Sequence, residues 1–264
     1  MRRRYVMIGA PVTAVRTPPL LEHRLAELGI PAEVATRNLE PSELAPFLDA
    51  LREDPTIDGL LVTMPHKRAI LAMLDGLTGE AAAAGSVNAV RRLPDGRLIG
   101  AQFDGIALGR ALARRSFDAA GSRILLAGLG GAGLAIARAL LAGGCRSLAV
   151  VERDPVRRRE GLAGLKGDFG AAVRPCDPGE EAAFDLLVNA TPLGMAATDP
   201  SPFSDRLVAA AGMVADIVAD PPATRLAALA RTFGKPLITG REMVCAQIDP
   251  IAAWLCGDLP LRSV

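Results

Sequence analysis

Two hydrophobic rhythms alternate along the chain. Short runs rich in β-branched and apolar residues predict strands at residues 5–9, 32–37, 59–63, 87–93, 123–128, 147–152, 185–190 and 213–218. Between them, apolar residues recur every three to four positions, predicting helices over residues 20–28, 43–52, 105–115 and 134–141. Strand–helix alternation of this kind argues for an α/β fold with mainly parallel sheets. The Asp-Gly pair in Leu93-Pro-Asp-Gly-Arg97 signals a hairpin between two short strands. Near the end, residues 240–255 read as one amphipathic helix with Met243, Gln247, Ile251 and Trp254 on a shared face. No internal repeat is present.

The segment 123–218 forms a self-contained nucleotide-binding pattern inserted into the chain. The residues ahead of it, about a hundred, suffice for a core of their own. The expected organisation is therefore two domains. An N-terminal α/β substrate-binding catalytic domain covers 1–104, completed by the C-terminal helix 240–264. A doubly wound, Rossmann-type dinucleotide-binding domain covers 105–239. A cleft between them is expected to hold cofactor and substrate.

Composition narrows the function classes. Half the residues are hydrophobic, yet no apolar run reaches the roughly 18 residues a membrane span needs. A net charge of +1 gives no reason to expect nucleic acid or an acidic membrane as partner. Met1-Arg2-Arg3-Arg4 and the apolar run after it superficially resemble a signal peptide. Pro11 cuts that run short and Arg16 follows, so a cytoplasmic protein is expected. Cys145, Cys176, Cys245 and Cys256 are scattered without metal-ligand spacing and read as buried thiols. His23 and His66 are too few for a histidine metal cluster, so no metal is expected. The thirty basic residues comprise 27 arginines and only three lysines, Lys67, Lys166 and Lys235. Where mere positive charge suffices, this chain uses arginine.

Candidate chemistry begins at Arg123-Ile-Leu-Leu-Ala-Gly-Leu-Gly-Gly-Ala-Gly133, where Gly128, Gly130 and Gly133 form G-x-G-x-x-G between a predicted strand and a predicted helix. The first glycine permits the tight turn, and the second, with Gly131 beside it, lets backbone approach a pyrophosphate at the helix N-terminus. The third lets helix and strand pack closely. The next strand ends at Glu152, 24 positions after Gly128, about where a carboxylate holds the adenosine ribose diol. Glu152 favours NAD. Arg153, Arg157, Arg158 and Arg159 follow at once and keep NADP open, because guanidinium groups accept a 2′-phosphate.

A second constellation lies upstream. In Leu60-Leu-Val-Thr-Met-Pro-His-Lys67, Thr63 and Lys67 stand four residues apart at the end of a strand. Gly85-Ser-Val-Asn88 and Gly100-Ala-Gln-Phe-Asp-Gly105 also fall near strand ends, where α/β folds place ligands. These pieces, in this order, resemble the shikimate dehydrogenase family, which shows N-V-T-x-P-x-K, then G-x-x-N-T, then G-x-N-T-D-G and a glycine-rich loop. That family continues with N-A-T, a Y-D-x-x-Y strand end and a late G-x-x-M-L-x-x-Q helix. The chain matches with Val62-Thr63-Met64-Pro65-His66-Lys67, Gly85–Asn88, Asp104-Gly105, Gly128–Gly133, Asn189-Ala190-Thr191, Asp216, and Gly240 with Met243 and Gln247. The opening Gly9-Ala-Pro11 and Thr17-Pro18 fit as well, so the resemblance spans nearly the whole sequence.

The resemblance implies a small-molecule substrate and an oxidoreductase in which Lys67 and Asp104 flank the hydroxyl that is oxidised. It gives Asn88 and Gln247 to neighbouring hydroxyls, Thr17 and Thr63 to the substrate, and Asn189, Thr191 and Gly240 to the cofactor side. The chemistry agrees: an amine can release its proton and act as a base, whereas a guanidinium cannot. The oligomeric state is not legible, and a homodimer stays open.

Several positions depart from the family. The S-x-S-P hydroxyls become Val15-Arg16-Thr17-Pro18, the asparagine before V-T is Leu61, and Phe103 precedes the acid. Ala215 and Ala219 replace the aromatic residues around Asp216. These exchanges suggest an altered carboxylate site and a cyclic polyol that is quinate-like or less acidic, although Arg16 offers a new anion contact. Two other functions remain: a methylene-tetrahydrofolate-type dehydrogenase, which also uses a lysine, and a catalytically silent nicotinamide-binding regulator.

Overall fold

The computed structural model describes residues 2–12, 16–176, 180 and 182–257. The chain divides into two compact units, one formed by Met1–Asp104 with Gln247–Val264 and the other by Gly105–Ala246.

In the first unit, β1 (Arg3–Gly9), β2 (Ala32–Asn38), β3 (Gly59–Val62), β4 (Gly76–Leu77), β5 (Ala89–Arg92) and β6 (Leu98–Ala101) form one sheet in the order β2-β1-β3-β5-β6-β4. β1 is parallel to β2 and β3, and β4 is parallel to β6. β5 runs antiparallel to both β3 and β6. The turn between β5 and β6 is the hairpin expected at Asp95-Gly96: Leu93 N donates to Arg97 O at 2.8 Å, and Gly96 takes φ +88°. Helices α1 (Thr17–Glu27), α2 (Leu44–Glu53), α3 (His66–Ala69) and α4 (Gly79–Ala84) connect the strands. Strand periodicity sends alternate side chains to opposite faces. Tyr5, Met7 and Leu61 enter one core with Trp254, while Ile8, Leu60 and Val62 enter the other with Leu44 and Leu48.

The second unit opens with α5 (Asp104–Arg114), whose first residue closes the first unit. Its sheet comprises β7 (Arg123–Ala127), β8 (Ser147–Val151), β9 (Val173–Pro175), β10 (Leu186–Asn189), β11 (Met213–Asp216) and β12 (Leu237–Thr239), wholly parallel in the order β12-β11-β10-β7-β8-β9. Helices α6 (Gly131–Ala142), α7 (Pro155–Phe169), α8 (Asp205–Ala210) and α9 (Arg225–Thr232) serve as connections. The continuous apolar run of β7 is explained by burial on both faces: Ile124 and Leu126 join one cluster, Leu125 and Ala127 the other. The chain builds outward from β7 to β9, then lays β10 on the opposite side of β7. In such folds ligands bind beyond the strand ends at that reversal.

The final helix, α10 (Gly240–Cys256), serves both cores. Met243 and Ala246 pack in the second unit's core, and Ile248, Ile251, Ala252 and Trp254 in the first's. At its start, Thr239 N donates to Glu242 Oε2 at 2.8 Å and Glu242 N returns to Thr239 Oγ1 at 3.3 Å, a reciprocal cap. The end of the expected segment, residues 258–264, lies outside the described residues.

Strands β4, β9 and β12 have two or three residues each, too few to leave a period in the sequence. The cysteines form no disulfide, but Cys145 alone is buried, its thiol pushed up to about 11 by desolvation. Cys245 is exposed instead, because it projects from α10 between the buried positions Met243 and Ala246. Among the described residues no helix is long and apolar enough to cross a membrane, and no metal-binding cluster occurs.

Candidate active site

In the first unit, three strand or helix junctions bring the upstream constellation together. Lys67 lies in the first turn of α3, just after β3; Asn88 immediately precedes β5; Asp104 follows β6 and opens α5. Lys67 Nζ donates to Asp104 Oδ2 at 2.6 Å, with side chains only 16% and 6% exposed. Asn88 Nδ2 donates to the other oxygen, Asp104 Oδ1, at 3.1 Å and to Gln247 Oε1 at 3.4 Å. Asn88 Oδ1 accepts Phe103 N at 3.0 Å. Backbone N–H can only donate, so this bond fixes which way the Asn88 amide faces. With Gln247 Oε1 engaged, the Gln247 amide nitrogen is left as a donor.

The frame around Lys67 is equally constrained. Val87 N donates to Lys67 O at 2.8 Å, tying α3 to the segment that carries Asn88. The neighbouring His66 is fully buried and its Nε2 lies 2.6 Å from Leu39 O. A carbonyl only accepts, so Nε2 carries the proton. Thr63 is half-buried beside Gly9, where any Cβ would come within 2.4 Å of Thr63 Cγ2. Thr17 is buried at the start of α1, and the neighbouring Arg16 is exposed. Val15 lies outside the described residues.

Three of the apolar departures are buried in cores. Leu61 and Phe103 (5% exposed) are core residues of the first unit, packed in one cluster with Tyr5 and Trp254. Ala215 belongs to the core of the second unit. Leu61 in β3 and Ala215 in β11 pack within their sheets, Phe103 follows β6 and packs in the same core as Leu61, and Ala219 is half-buried beside Gly240.

In the second unit, Gly128 takes φ +96°, a left-handed value that favours glycine, and a Cβ there would meet Ala190 O at 2.7 Å. A Cβ on Gly133 would lie 2.1 Å from Gly128 O, so helix and turn touch backbone to backbone. Gly130, by contrast, faces open space and is the N-cap of α6 without any side-chain cap. A helix N-terminus without a side-chain cap, reached over a bare glycine, fits a pyrophosphate.

Glu152 follows β8 directly, but its carboxylate turns inward, with the side chain 7% exposed. Oε2 accepts Leu129 N at 2.8 Å and Oε1 accepts Asp154 N at 2.9 Å. Arg153 is exposed, and Arg157 Nη2 stands 3.6 Å from Glu152 Oε1. Asn189, fully buried at the end of β10, donates to Leu193 O and Asp216 Oδ1, both at 3.0 Å, and accepts Thr191 Oγ1 at 2.6 Å. These bonds shape the 189–193 turn. Thr224 Oγ1 donates to Asp216 Oδ2, and burial pushes the Asp216 carboxyl above the usual carboxylate range despite these donors. Gly240 lets α10 start against the Val218–Ala219 peptide, where a Cβ would lie 2.4 Å from Val218 C.

Sequence reasoning missed Ser86, Gln102 and Thr224 as members of these networks. The first two sat inside quoted motifs, and their spacing to Asn88 and Asp104 was the available signal.

Comparisons with known proteins bear on both sites. A family model for the shikimate dehydrogenase substrate binding domain matches residues 7–90. The chain is 36% identical over 259 residues to a shikimate dehydrogenase (NADP(+)) from Rubrobacter xylanophilus, covering 96% of this chain and 90% of that protein. It resembles the crystal structure of shikimate 5-dehydrogenase from Thermus thermophilus in complex with NADP(H) and shikimate, with 31% identity and a TM-score of 0.84 over 98% of this chain and 95% of that one. It also resembles quinate dehydrogenase from Corynebacterium glutamicum in complex with NAD, with 28% identity and a TM-score of 0.85 over 97% and 95% of the two chains.

Proposed function

The chain belongs to the shikimate dehydrogenase family, and on that premise we propose that it transfers a hydride between a nicotinamide dinucleotide and a secondary ring alcohol of a shikimate- or quinate-like hydroxy acid. The observation that carries this reading is the 2.6 Å pairing of Lys67 Nζ with Asp104 Oδ2 in a largely buried setting. When an alcohol is oxidised, its carbon loses hydride and its oxygen loses a proton. Lys67, as the free amine, takes that proton, and Asp104 aims the amine and stabilises the ammonium that forms. Asn88 holds the second oxygen of Asp104, fixing the roll of the carboxylate. Gln247, through its free amide nitrogen, and the hydroxyls of Thr63 and Thr17 bind the remaining polar groups of the ring acid. The relatives favour neither a folate-type dehydrogenase nor a silent regulator.

A nicotinamide dinucleotide supplies the hydride acceptor. Gly128, Gly130, Gly131 and Gly133 shape the turn for its pyrophosphate, with Asn189, Thr191 and Gly240 forming the adjoining backbone. Between the two dinucleotides, the reading favours NADP over the NAD that the position of Glu152 alone suggests. The Glu152 oxygens are already engaged by Leu129 and Asp154, while Arg153 is exposed and Arg157 adjacent. Several relatives carry NADP(+) in their names.

The test is turnover of shikimate and quinate with NADP and NAD, read as absorbance of the reduced cofactor. Lys67→Arg is the control that keeps charge but removes the base. It is expected to lower kcat about 10²- to 10⁴-fold, the range typical of general-base loss. Absence of turnover on every ring hydroxy acid, or full activity in Lys67→Arg, overturns the reading.

A further inference from the structure

Two segments of the first unit, 85–88 and 102–104, are laced by amide side chains running in opposite directions. Asn88 reaches from the first segment to the second, accepting Phe103 N at 3.0 Å and donating to Asp104 Oδ1 at 3.1 Å. Gln102 reaches back: its Oε1 accepts Asp104 N at 2.8 Å, and its Nε2 donates to Ser86 Oγ at 2.7 Å. Gln102, Ser86, Asn88 and Asp104 are all buried. The amide orientation of Gln102 follows from the donor-only character of the Asp104 N–H.

The consequence concerns the first turn of α5. A helix leaves its leading N–H groups without partners, and Asp104 is the first residue of this one. Gln102 satisfies the Asp104 N–H from two residues upstream, and Ser86 anchors the far end of the same amide. Both termini of the Gln102 side chain are thereby fixed, and with them the backbone from which the Asp104 carboxylate projects.

We infer that Gln102, anchored by Ser86, is a positioning residue that sets where the Asp104 carboxylate meets Lys67. This rests on the proposed function for its catalytic readout, but not for its structural one. A carboxylate displaced by about 1 Å from a productive geometry costs on the order of a hundredfold in rate. Gln102→Met keeps length and removes both hydrogen bonds. It is expected to lower kcat about 10- to 100-fold with little change in KM for the ring acid, in protein whose melting curve remains cooperative.

The coupling to Ser86 gives a second measurement. Ser86→Ala is expected to lower kcat severalfold in the natural sequence. It should have no further effect in a Gln102→Asn background, whose shorter side chain accepts the Asp104 N–H but falls short of Ser86. A third readout is independent of turnover. Amine labelling with acetic anhydride, followed residue by residue by peptide mass, is expected to accelerate at Lys67 in Gln102→Met and to stay unchanged at Lys166 and Lys235. If the protein proves inactive on every ring acid, the proposed function fails while the labelling still decides this inference. Unchanged Lys67 labelling in folded Gln102→Met overturns it. So do independent, multiplying effects of Ser86→Ala and Gln102→Asn on kcat.

Discussion

The carboxylate of Glu152 accepts the backbone N–H of Leu129 at 2.8 Å, stitching the end of the second parallel strand to the middle of the glycine turn. An acid at this point commonly faces the ribose. Here it braces the turn, and the burial of its side chain leaves the neighbouring arginines as the exposed chemistry of that edge.

Cofactor choice should therefore depend on Arg153 more than on Glu152. Charge-assisted contacts to phosphate are worth roughly 1.5–3 kcal/mol, about 10- to 100-fold in affinity. Arg153→Ala is expected to raise KM for NADP by that factor and leave KM for NAD within about twofold. Glu152→Ala should weaken both cofactors together, because it loosens the turn. Steady-state kinetics with each dinucleotide checks both statements, and a selective loss of NAD in Glu152→Ala would show that the acid reads the ribose directly.

Two glycines in the same turn should respond oppositely to one added methyl. At Gly130 the methyl enters open space, so Gly130→Ala should fold with an unchanged melting temperature yet bind dinucleotide about tenfold more weakly or worse. At Gly133 the methyl would lie 2.1 Å from the Gly128 carbonyl, and backbone cannot swing aside as a side chain can. Gly133→Ala should lose several degrees of melting temperature before any ligand is added. Thermal unfolding with and without NADP separates the two, and equal melting temperatures in the variants would contradict the packing described.

Phe103 invites a test because the family pattern has threonine there. As a core residue, Phe103→Thr should cost about 3–5 kcal/mol of stability, as loss of a buried aromatic ring does. Improved shikimate turnover in that variant, with stability intact, would return Phe103 to the substrate pocket.

Asp216 makes stability depend on pH in a definite direction. Its folded-state pKa is raised above the unfolded value, so its contribution is fully present in acid and is lost as pH rises through the folded value. The stability difference between the natural protein and Asp216→Asn should shrink from about pH 4 upward. Its slope can reach roughly 1.4 kcal/mol per pH unit while the group titrates. Urea unfolding followed by circular dichroism across that interval measures it; a difference that grows with pH contradicts the burial argument.

The strand, turn and helix around the three glycines were legible because their cause is local. The run 123–128 followed by three spaced glycines dictates a strand, a left-handed corner and a helix, and the structure has β7, Gly128 at φ +96° and α6. The proximity of Lys67, Asn88, Asp104 and Gln247 was readable only through family resemblance, since no spacing rule joins positions 159 residues apart such as Asn88 and Gln247. What remained illegible was the destination of individual polar atoms. Glu152 stood at a ribose-reading distance from Gly128, yet its oxygens bond to Leu129 and Asp154, because rotamer choice depends on neighbours that a linear motif omits. The same limit hid Gln102, which drew no notice inside the quoted stretch Gly100–Gly105 and is a buried clasp.

A helix that delivers both Gln247 and Trp254 to the first unit has to keep a single rotational phase between them. An α-helix turns by about 100° per residue, so inserting or deleting one residue between these two positions would swing one relative to the other by that angle. With Gln247 held on Asn88, Trp254 would be driven out of its core. Substitutions along α10 can be absorbed one at a time, but its length cannot change by a residue: at this point the chain tolerates edits of spelling and forbids edits of metre.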